Sequence, residues 1–460
     1  MKIVVTTTLL VLYWSGFSDA GVSMDNPFYC YSTDLIRPQV KMHSTRTSYE
    51  AVRRTSVNPA VSSCTPSRFW FLSRHGGRFP HPPDLQNMFD FADSSIQEDI
   101  ARNYDEGRTT LCRQDFEAIR DWRRDANLTL EDASLTTEAG RIGMRNIARR
   151  YQQSFPSILP DTYDRERFHF RHTRTIRTNT TIRAFASGLF GESAADNVIF
   201  EDVPDNDFFL RPIDFCPAFR EEVEDQHQQE AFENGPEFEE MMDQINRKLG
   251  FRGSNQLSVD TVLIMWEWCR FETATNFELS ESEIGDPSAW CIPFSIRHHS
   301  ILEYYQDLGY YHFTGYGVRN QRLIQNLNCG LMQDLLTHLQ SNGSNDRTVR
   351  VFVTYSQMVQ ALMVTLGAFR DDINLNQHNF AQQTSRHWKT SFLTPNAANF
   401  VVIRYDCADG DHDLVFLVNE RPILVPGCDI QTGICKLSFI LNQFERFIGV
   451  NCEDLFCTSN

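Results

Sequence analysis

The amino-acid sequence predicts an α/β sandwich with an inserted, mainly helical cap lobe. Two runs, residues 69–72 and 348–353, are short, strongly apolar and rich in aromatic or β-branched side chains, as expected of parallel strands buried on both faces. Strand-like and helix-like segments alternate on either side of a long helical stretch, the pattern of a helix-covered sheet with a second lobe spliced into it. At 460 residues the chain is long enough for a large core and two lobes. The core is assigned to residues 21–85, 166–214 and 296–460, and the cap to 86–165 and 215–295.

After Cys30 and a polar segment, residues 69–72 give the first strand. Residues 85–103 read as one or two amphipathic helices, and Phe116, Ile119 and Trp122 recur at helical spacing within 113–124. A helix opens at Leu135-Thr136-Thr137-Glu138, with Thr136 as cap and Glu138 in the first turn. It continues through Met144, Ile147 and Tyr151 and stops at Phe155-Pro156. Residues 167–171 alternate like a strand, and a helix over 175–189 follows, ended by Gly191. The acidic stretch 221–247 and the apolar stretch 259–269, with Trp266 and Trp268, are read as cap helices. Residues 348–353 run through Tyr355-Ser356-Gln357 into an apolar helix over 358–369. Residues 400–405 and 414–418 make a strand pair, and 437–448 a last amphipathic helix. Internal repeats and glycine-rich nucleotide loops are absent.

The first twenty residues read as a secretory signal: Lys2, an apolar stretch over 3–13, and Ser18-Asp19-Ala20 at the cleavage position. No later run reaches the eighteen or so apolar residues of a membrane helix, and Cys457-Thr458-Ser459-Asn460 is neither a retrieval signal nor a lipid-anchor tail. Secretion is therefore expected. The 12 cysteines all follow the signal and indicate disulfides, with Cys428/Cys435 and Cys452/Cys457 as the expected local pairs. No C-x-x-C pair occurs, so neither metal nor cofactor is expected. Sequons at Asn127, Asn179 and Asn342 suit the same compartment. The formal charge of -17 argues against nucleic acid and anionic membranes as partners. An anionic substrate must then be drawn in by a local basic pocket. The sequence sets no oligomeric state.

The chemistry concentrates in Ser73-Arg74-His75-Gly76-Gly77-Arg78-Phe79-Pro80, directly after the first strand. Ligands of open α/β sheets sit beyond the carboxyl ends of strands, which places His75 at such a mouth. Arg74 and Arg78 flank it, and guanidinium groups grip phosphate oxygens in pairs. Gly76 and Gly77 allow close backbone approach, and Pro80 fixes the exit. A neutral imidazole between two such groups can attack a phosphoryl group and carry it as phosphohistidine. A second basic cluster, Arg171, Arg174, Arg177 and Arg183, crowds the strand-to-helix turn near residue 175, where a helix N-terminus favours anions. His298-His299 reads as a surface pair and His412-Asp413 as an exposed turn pair.

The string around His75 matches the R-H-G-x-R-x-P signature of the histidine acid phosphatases. Over most of the mature chain the sequence resembles the multiple inositol polyphosphate phosphatases, a branch of that superfamily. The likeness includes Leu135-Thr136 with the helix to Phe155-Pro156, Phe170 through Arg177 to Gly188-Leu189, Trp290-Cys291, Glu303-Tyr304 with Asp307-Leu308, and Tyr316-Gly317. It implies a histidine-phosphatase-like fold, nucleophilic His75, and phosphate binding by Arg74, Arg78 and Arg177. The family's second catalytic element, His-Ala-Glu, falls on Tyr355-Ser356-Gln357, where both working residues are replaced. Tyr355 can donate a hydrogen bond, but Gln357 cannot protonate a leaving alkoxide. Two functions follow. One is a secreted phosphomonoesterase acting on inositol polyphosphates or related small phosphomonoesters, weakened by the lost proton donor. The other is an inactive relic that captures phosphate or another ligand.

Overall fold

The computed structural model describes residues 26–458, apart from 27, 55–56, 58–59, 62, 225–226, 280–287, 344–345 and 409. The expected signal segment lies outside the described residues. The centre is a seven-stranded sheet ordered β2-β3-β1-β4-β5-β6, with β7 on β5. Its strands are β1 (Cys64–Arg74), β2 (Phe168–His172), β3 (Val349–Thr354), β4 (Asn399–Cys407), β5 (His412–Val418), β6 (Arg421–Pro422) and β7 (Cys435–Lys436). β1 and β2 run parallel to β3, whereas β4 lies antiparallel on β1. The two apolar runs are therefore neighbours in one sheet, with Leu72 opposite Phe352 and Arg74 opposite Thr354.

Side chains on a strand alternate between faces, and β1 is apolar in both phases. Phe69 and Phe71 point to one face and join an apolar cluster with Met144, Ile147, Tyr151, Ile182 and Phe185. Trp70 and Leu72 point to the other and join a cluster that runs through Trp266, Trp268 and Trp290. All four are fully buried, each worth about 2 kcal/mol relative to exposure.

The helices that position the site are, in chain order, α1 (Pro82–Ala92), α2 (Ile96–Asp105), α3 (Arg113–Asp121), α4 (Glu138–Ser154), α5 (Ile176–Phe190), α6 (Pro236–Leu249), α7 (Val259–Leu279), α8 (Ile296–Thr314), α9 (Cys329–Gln340), α10 (Ser356–Thr365) and α11 (Leu437–Gln443). α4 and α5 cover the Phe69/Phe71 face. This corrects the cap boundary read from sequence: α4, together with Phe155, Ile158 and Leu159, packs on the sheet, because its Met144–Ile147–Tyr151 stripe has the strand aromatics to bury against. Thr137, not Thr136, caps α4 by accepting from the Gly140 N–H. The helix expected over 437–448 ends at Gln443.

Six disulfides account for the 12 cysteines: Cys30–Cys112, Cys64–Cys407, Cys216–Cys457, Cys269–Cys291, Cys329–Cys452 and Cys428–Cys435. Cys428–Cys435 forms as expected. Cys452 and Cys457 do not pair with each other, since each faces a different neighbouring element and finds a partner there. His298 and His299 are likewise not a surface pair, being 4% and 0% exposed. His298 is held by Gln244 Oε1 at 2.9 Å, and His299 packs against His43 with ring centroids 5.2 Å apart. No described helix is long and apolar enough to cross a membrane.

Candidate active site

The carboxyl end of β1 delivers Arg74 and His75 into a backbone cradle. The Arg74 N–H donates to Ala398 O (2.8 Å), the His75 N–H to Thr354 O (3.1 Å), and the Ala397 N–H to His75 O (3.2 Å). The loop then turns against α4. The Gly76 N–H donates to Thr181 Oγ1 on α5 at 2.9 Å, and the Thr137 N–H donates to Gly77 O at 2.9 Å. A methyl group placed on Gly76 would lie 2.7 Å from Gly140 O, and one on Gly140 would lie 2.2 Å from Gly77 O. These glycines are required by backbone-to-backbone contact rather than by positive φ.

His75 is 4% exposed. Its Nδ1 lies 2.8 Å from Gly76 O, and a carbonyl can only accept, so Nδ1 carries the proton and Nε2 keeps its lone pair. Burial, followed by repulsion from Arg74 and Arg78, holds the imidazole well below its ordinary pKa. At neutral pH it is uncharged, as attack through Nε2 requires.

Arg74, Arg78 and Arg177 converge on this ring, each lowering its affinity for a proton. Arg74 is anchored through Nη1 to the carbonyls of Thr45, Thr394 (2.9 Å) and Pro395 (2.9 Å). Arg78 Nη1 donates to Phe79 O at 2.7 Å, and its Nη2 lies 2.8 Å from His81 Nε2. Arg177 stands over the Tyr355 ring, 4.9 Å from its centroid. The Nε groups of all three are buried without a hydrogen-bond partner among the described residues. Unmade bonds to buried cations are costly, and these three belong to cations gathered round one histidine. Burial is the main cause that lowers Arg78 to about 8 and Arg74 to about 10; Arg46 and Arg177 add repulsion at both, and Arg74 adds to it at Arg78.

Sequence reasoning missed several members of this cluster. Arg46 donates to Arg78 O (3.1 Å) and pairs with Glu267 Oε1 (2.9 Å). Burial alone would raise Glu267, but Arg270 and Arg46 more than offset that and hold it at about 2, so it is a fixed anion. Arg211 stands 5.5 Å from the Tyr355 ring centroid, sharing that ring with Arg177. Arg46 ends a single 3-10 turn, Ser44–Arg46, too short to leave a periodic signal, so nothing in the sequence pointed to it. Of the second basic cluster only Arg177 faces His75. Arg171 pairs with Glu201 (2.7 Å) and Asp207 (2.8 Å), Arg174 with Asp205, and Arg183 donates to Asn179 Oδ1 (2.7 Å).

Tyr355 sits at the end of β3 as the N-cap residue of α10, its ring centroid 6.4 Å from that of His75. Ring faces attract cations, so Tyr355 gathers Arg177 and Arg211 beside His75. Gln357, half-buried on the first turn of α10, accepts from Ser356 Oγ at 3.2 Å and has no proton of suitable acidity to give. His412-Asp413 opens β5 and is not a turn pair. Asp406, opposite His412, pairs through β4 with Thr65, at the far end of β1 from His75.

A family model described as the histidine phosphatase superfamily (branch 2) matches residues 70–419. Multiple inositol polyphosphate phosphatase 1 of Drosophila melanogaster is 32% identical over 440 residues, covering 93% of this chain and 90% of its own. The human protein of that name is 27% identical over 399 residues, covering 79% and 77%. Among solved structures, the phytase from D. castellii superposes with a TM-score of 0.67 at 15% identity, covering 91% of this chain and 87% of its own. Bifidobacterium longum multiple inositol polyphosphate phosphatase in complex with inositol hexasulfate gives 0.60 at 12% identity, covering 86% and 96%. With the His75 loop at the mouth of a shared α/β fold, these matches place the chain in the multiple inositol polyphosphate phosphatase family, within branch 2 of the histidine phosphatase superfamily.

Proposed function

We propose that this protein is a secreted phosphomonoesterase that removes phosphate from inositol polyphosphates or related phosphomonoesters through a phosphohistidine on His75, with turnover weakened by the replaced proton donor. The observation that carries the reading is the set of three unpartnered, buried Nε donors around a neutral imidazole with a free Nε2. A phosphate monoester bound among these arginines would pair with their charge and offset their mutual repulsion. His75 Nε2 would attack phosphorus as the ester P–O bond breaks, with the arginines neutralising charge on the non-bridging oxygens. Water would then cleave the P–N bond. The relatives' printed names and the inositol hexasulfate seated in the B. longum protein support a highly anionic inositol ester as substrate. The net charge of -17 leaves the arginine cluster as the feature that attracts it.

Tyr355 and Gln357 favour the second reading, a relic that binds without turning over. One assay separates the two. Purified protein is given inositol hexakisphosphate and 4-nitrophenyl phosphate, with His75→Ala as control. Release of phosphate that depends on His75, with a phosphoprotein trapped by rapid quenching, is expected; phosphate binding with no release from either substrate would sink the enzymatic reading. Secretion is supported by the disulfides and by the exposed sequons Asn127 and Asn342. Asn179 is half-buried on α5 and engaged by Arg183. Recovery from culture medium of a chain starting near Gly21, shortened by deglycosylation, tests that part.

A further inference from the structure

Among the described residues, His81 is the one whose ring nitrogen lies against Arg78 and whose role the preceding reading leaves open. It is the N-cap residue of α1, where a side chain ordinarily accepts from the helix N–H groups, yet it makes no capping bond. Its ring is instead suspended between two partners. Nδ1 lies 2.9 Å from Ser134 Oγ, and Nε2 lies 2.8 Å from Arg78 Nη2. Ser134 is itself fixed to the catalytic loop, its N–H donating to Pro80 O at 2.9 Å while the Phe79 N–H donates to Leu135 O at 3.0 Å. Ser134 thus orients the ring, and the orientation aims Nε2 at the fork that would hold the transferring phosphate.

We propose that His81 supplies the proton that Gln357 cannot, delivering it from Nε2 to the leaving oxygen of the ester. The proposal rests on the phosphatase reading and deepens it. In the free protein Arg78 donates to Nε2, so His81 is neutral with its proton on Nδ1. When phosphate takes over the Arg78 fork, Nε2 is released beside an anion and becomes protonated. As His75 Nε2 forms the P–N bond, the P–O bond breaks, its electron pair stays on the alkoxide oxygen, and that oxygen takes the Nε2 proton. His81 returns to the Nδ1–H form held by Ser134. In the second half-reaction water attacks phosphorus as the P–N bond breaks, its proton leaves with the departing phosphate, the electron pair returns to His75 Nε2, and His81 regains its Nε2 proton from solvent.

The charges facing His81 set its working range. Burial, Arg78, Arg177 and Arg46 disfavour its protonated form, bringing it to about 4 in the free protein, while Asp84 opposes them. A dianionic phosphate cancels part of the arginine charge and moves the pKa upward. The acid form exists below that value, so cleavage of alkyl phosphates falls as pH rises through it.

The test compares wild type with His81→Gln, a side chain that can keep both contacts, on inositol hexakisphosphate and 4-nitrophenyl phosphate across pH 3–8. A phenolate leaves without a proton, so the aryl ester also reports whether the variant is folded and able to form phosphohistidine. The expected result is a roughly 10²- to 10⁴-fold loss in kcat on the inositol ester, loss of the alkaline limb of its pH profile, and aryl phosphate turnover within about tenfold of wild type. Equal losses on both esters, or an unchanged inositol ester profile in an active enzyme, would overturn the role of His81 while leaving the phosphatase reading intact. A wild-type protein inactive on both esters overturns both.

Discussion

Replacing Arg78 with methionine separates what the pocket costs from what it binds. The Arg78 guanidinium is pushed far below its ordinary range, to about 8, by burial first, and then by Arg46, Arg74 and Arg177. A basic group whose folded-state pKa lies below its unfolded value holds its proton less tightly in the native state. Its charge therefore destabilises the fold at every pH below about 8, and that cost shrinks only as pH rises above it. At pH 7 and below, Arg78→Met should leave the phosphate-free protein as stable as wild type or more so, despite the loss of its bonds to Phe79 O and His81. Phosphate reverses the order. Arg78 has one Nε donor without a partner among the described residues and one Nη2 held by His81, and a bound phosphate would take both. The unpartnered Nε alone makes a charge-assisted bond worth about 1.5–3 kcal/mol, so the variant should bind phosphate roughly 10- to 150-fold more weakly. At phosphate equal to about 100 times the wild-type Kd, wild type gains about 2.7 kcal/mol and the variant about 1.4 kcal/mol or less. With unfolding entropy near 2.1 cal/mol/K per residue, that wild-type gain raises Tm by roughly 3 °C. Thermal unfolding with and without phosphate, paired with calorimetric titration, measures both signs. Equal stabilisation of the two proteins by phosphate, or a phosphate-free variant several degrees less stable than wild type, would refute the reasoning.

Three other perturbations follow from the same geometry. Tyr355→His together with Gln357→Glu should raise turnover of inositol hexakisphosphate by about 10²-fold or more and help 4-nitrophenyl phosphate much less; Gln357→Glu alone should do little, because nearby guanidinium groups keep a lone carboxylate ionised. Unchanged steady-state rates for the double variant would show that protonation of the leaving group does not limit the reaction. Gly140→Ala forces a methyl group to 2.2 Å from Gly77 O, so the catalytic loop must move and kcat should drop by about 10²-fold with the circular dichroism spectrum retained; wild-type kcat would show that the loop is not held by that contact. Arg386→Met strips the guanidinium from Glu303 (3.1 Å) and Asp307, which are 3% and 0% exposed; the unpaired buried carboxylates should cost about 3–5 kcal/mol in denaturant unfolding, and a loss under about 1 kcal/mol would contradict it.

The sequence by itself determined the elements and the centre of the chemistry. Strand β1 is apolar in both phases of its alternation, which demands cover on both faces wherever the chain goes. His75, Gly76, Gly77 and Arg78 are contiguous, so their proximity is covalent. Cys428 and Cys435 lie close in the chain, and they pair. The tertiary structure decided everything that depends on which face meets which. Arg177 and Arg183 are six positions apart on one helix, about 240° round its axis, so only one can look at His75. Arg46, Glu267 and Ser134 reach the site from segments distant in the chain, and no periodicity marks them. Helix α4 reads like the cap helices because an apolar stripe at 3.6-residue spacing states that a face is buried, not against what. Cys452 and Cys457 find Cys329 and Cys216 for the same reason: pairing follows the direction of side chains in space, which chain separation does not fix.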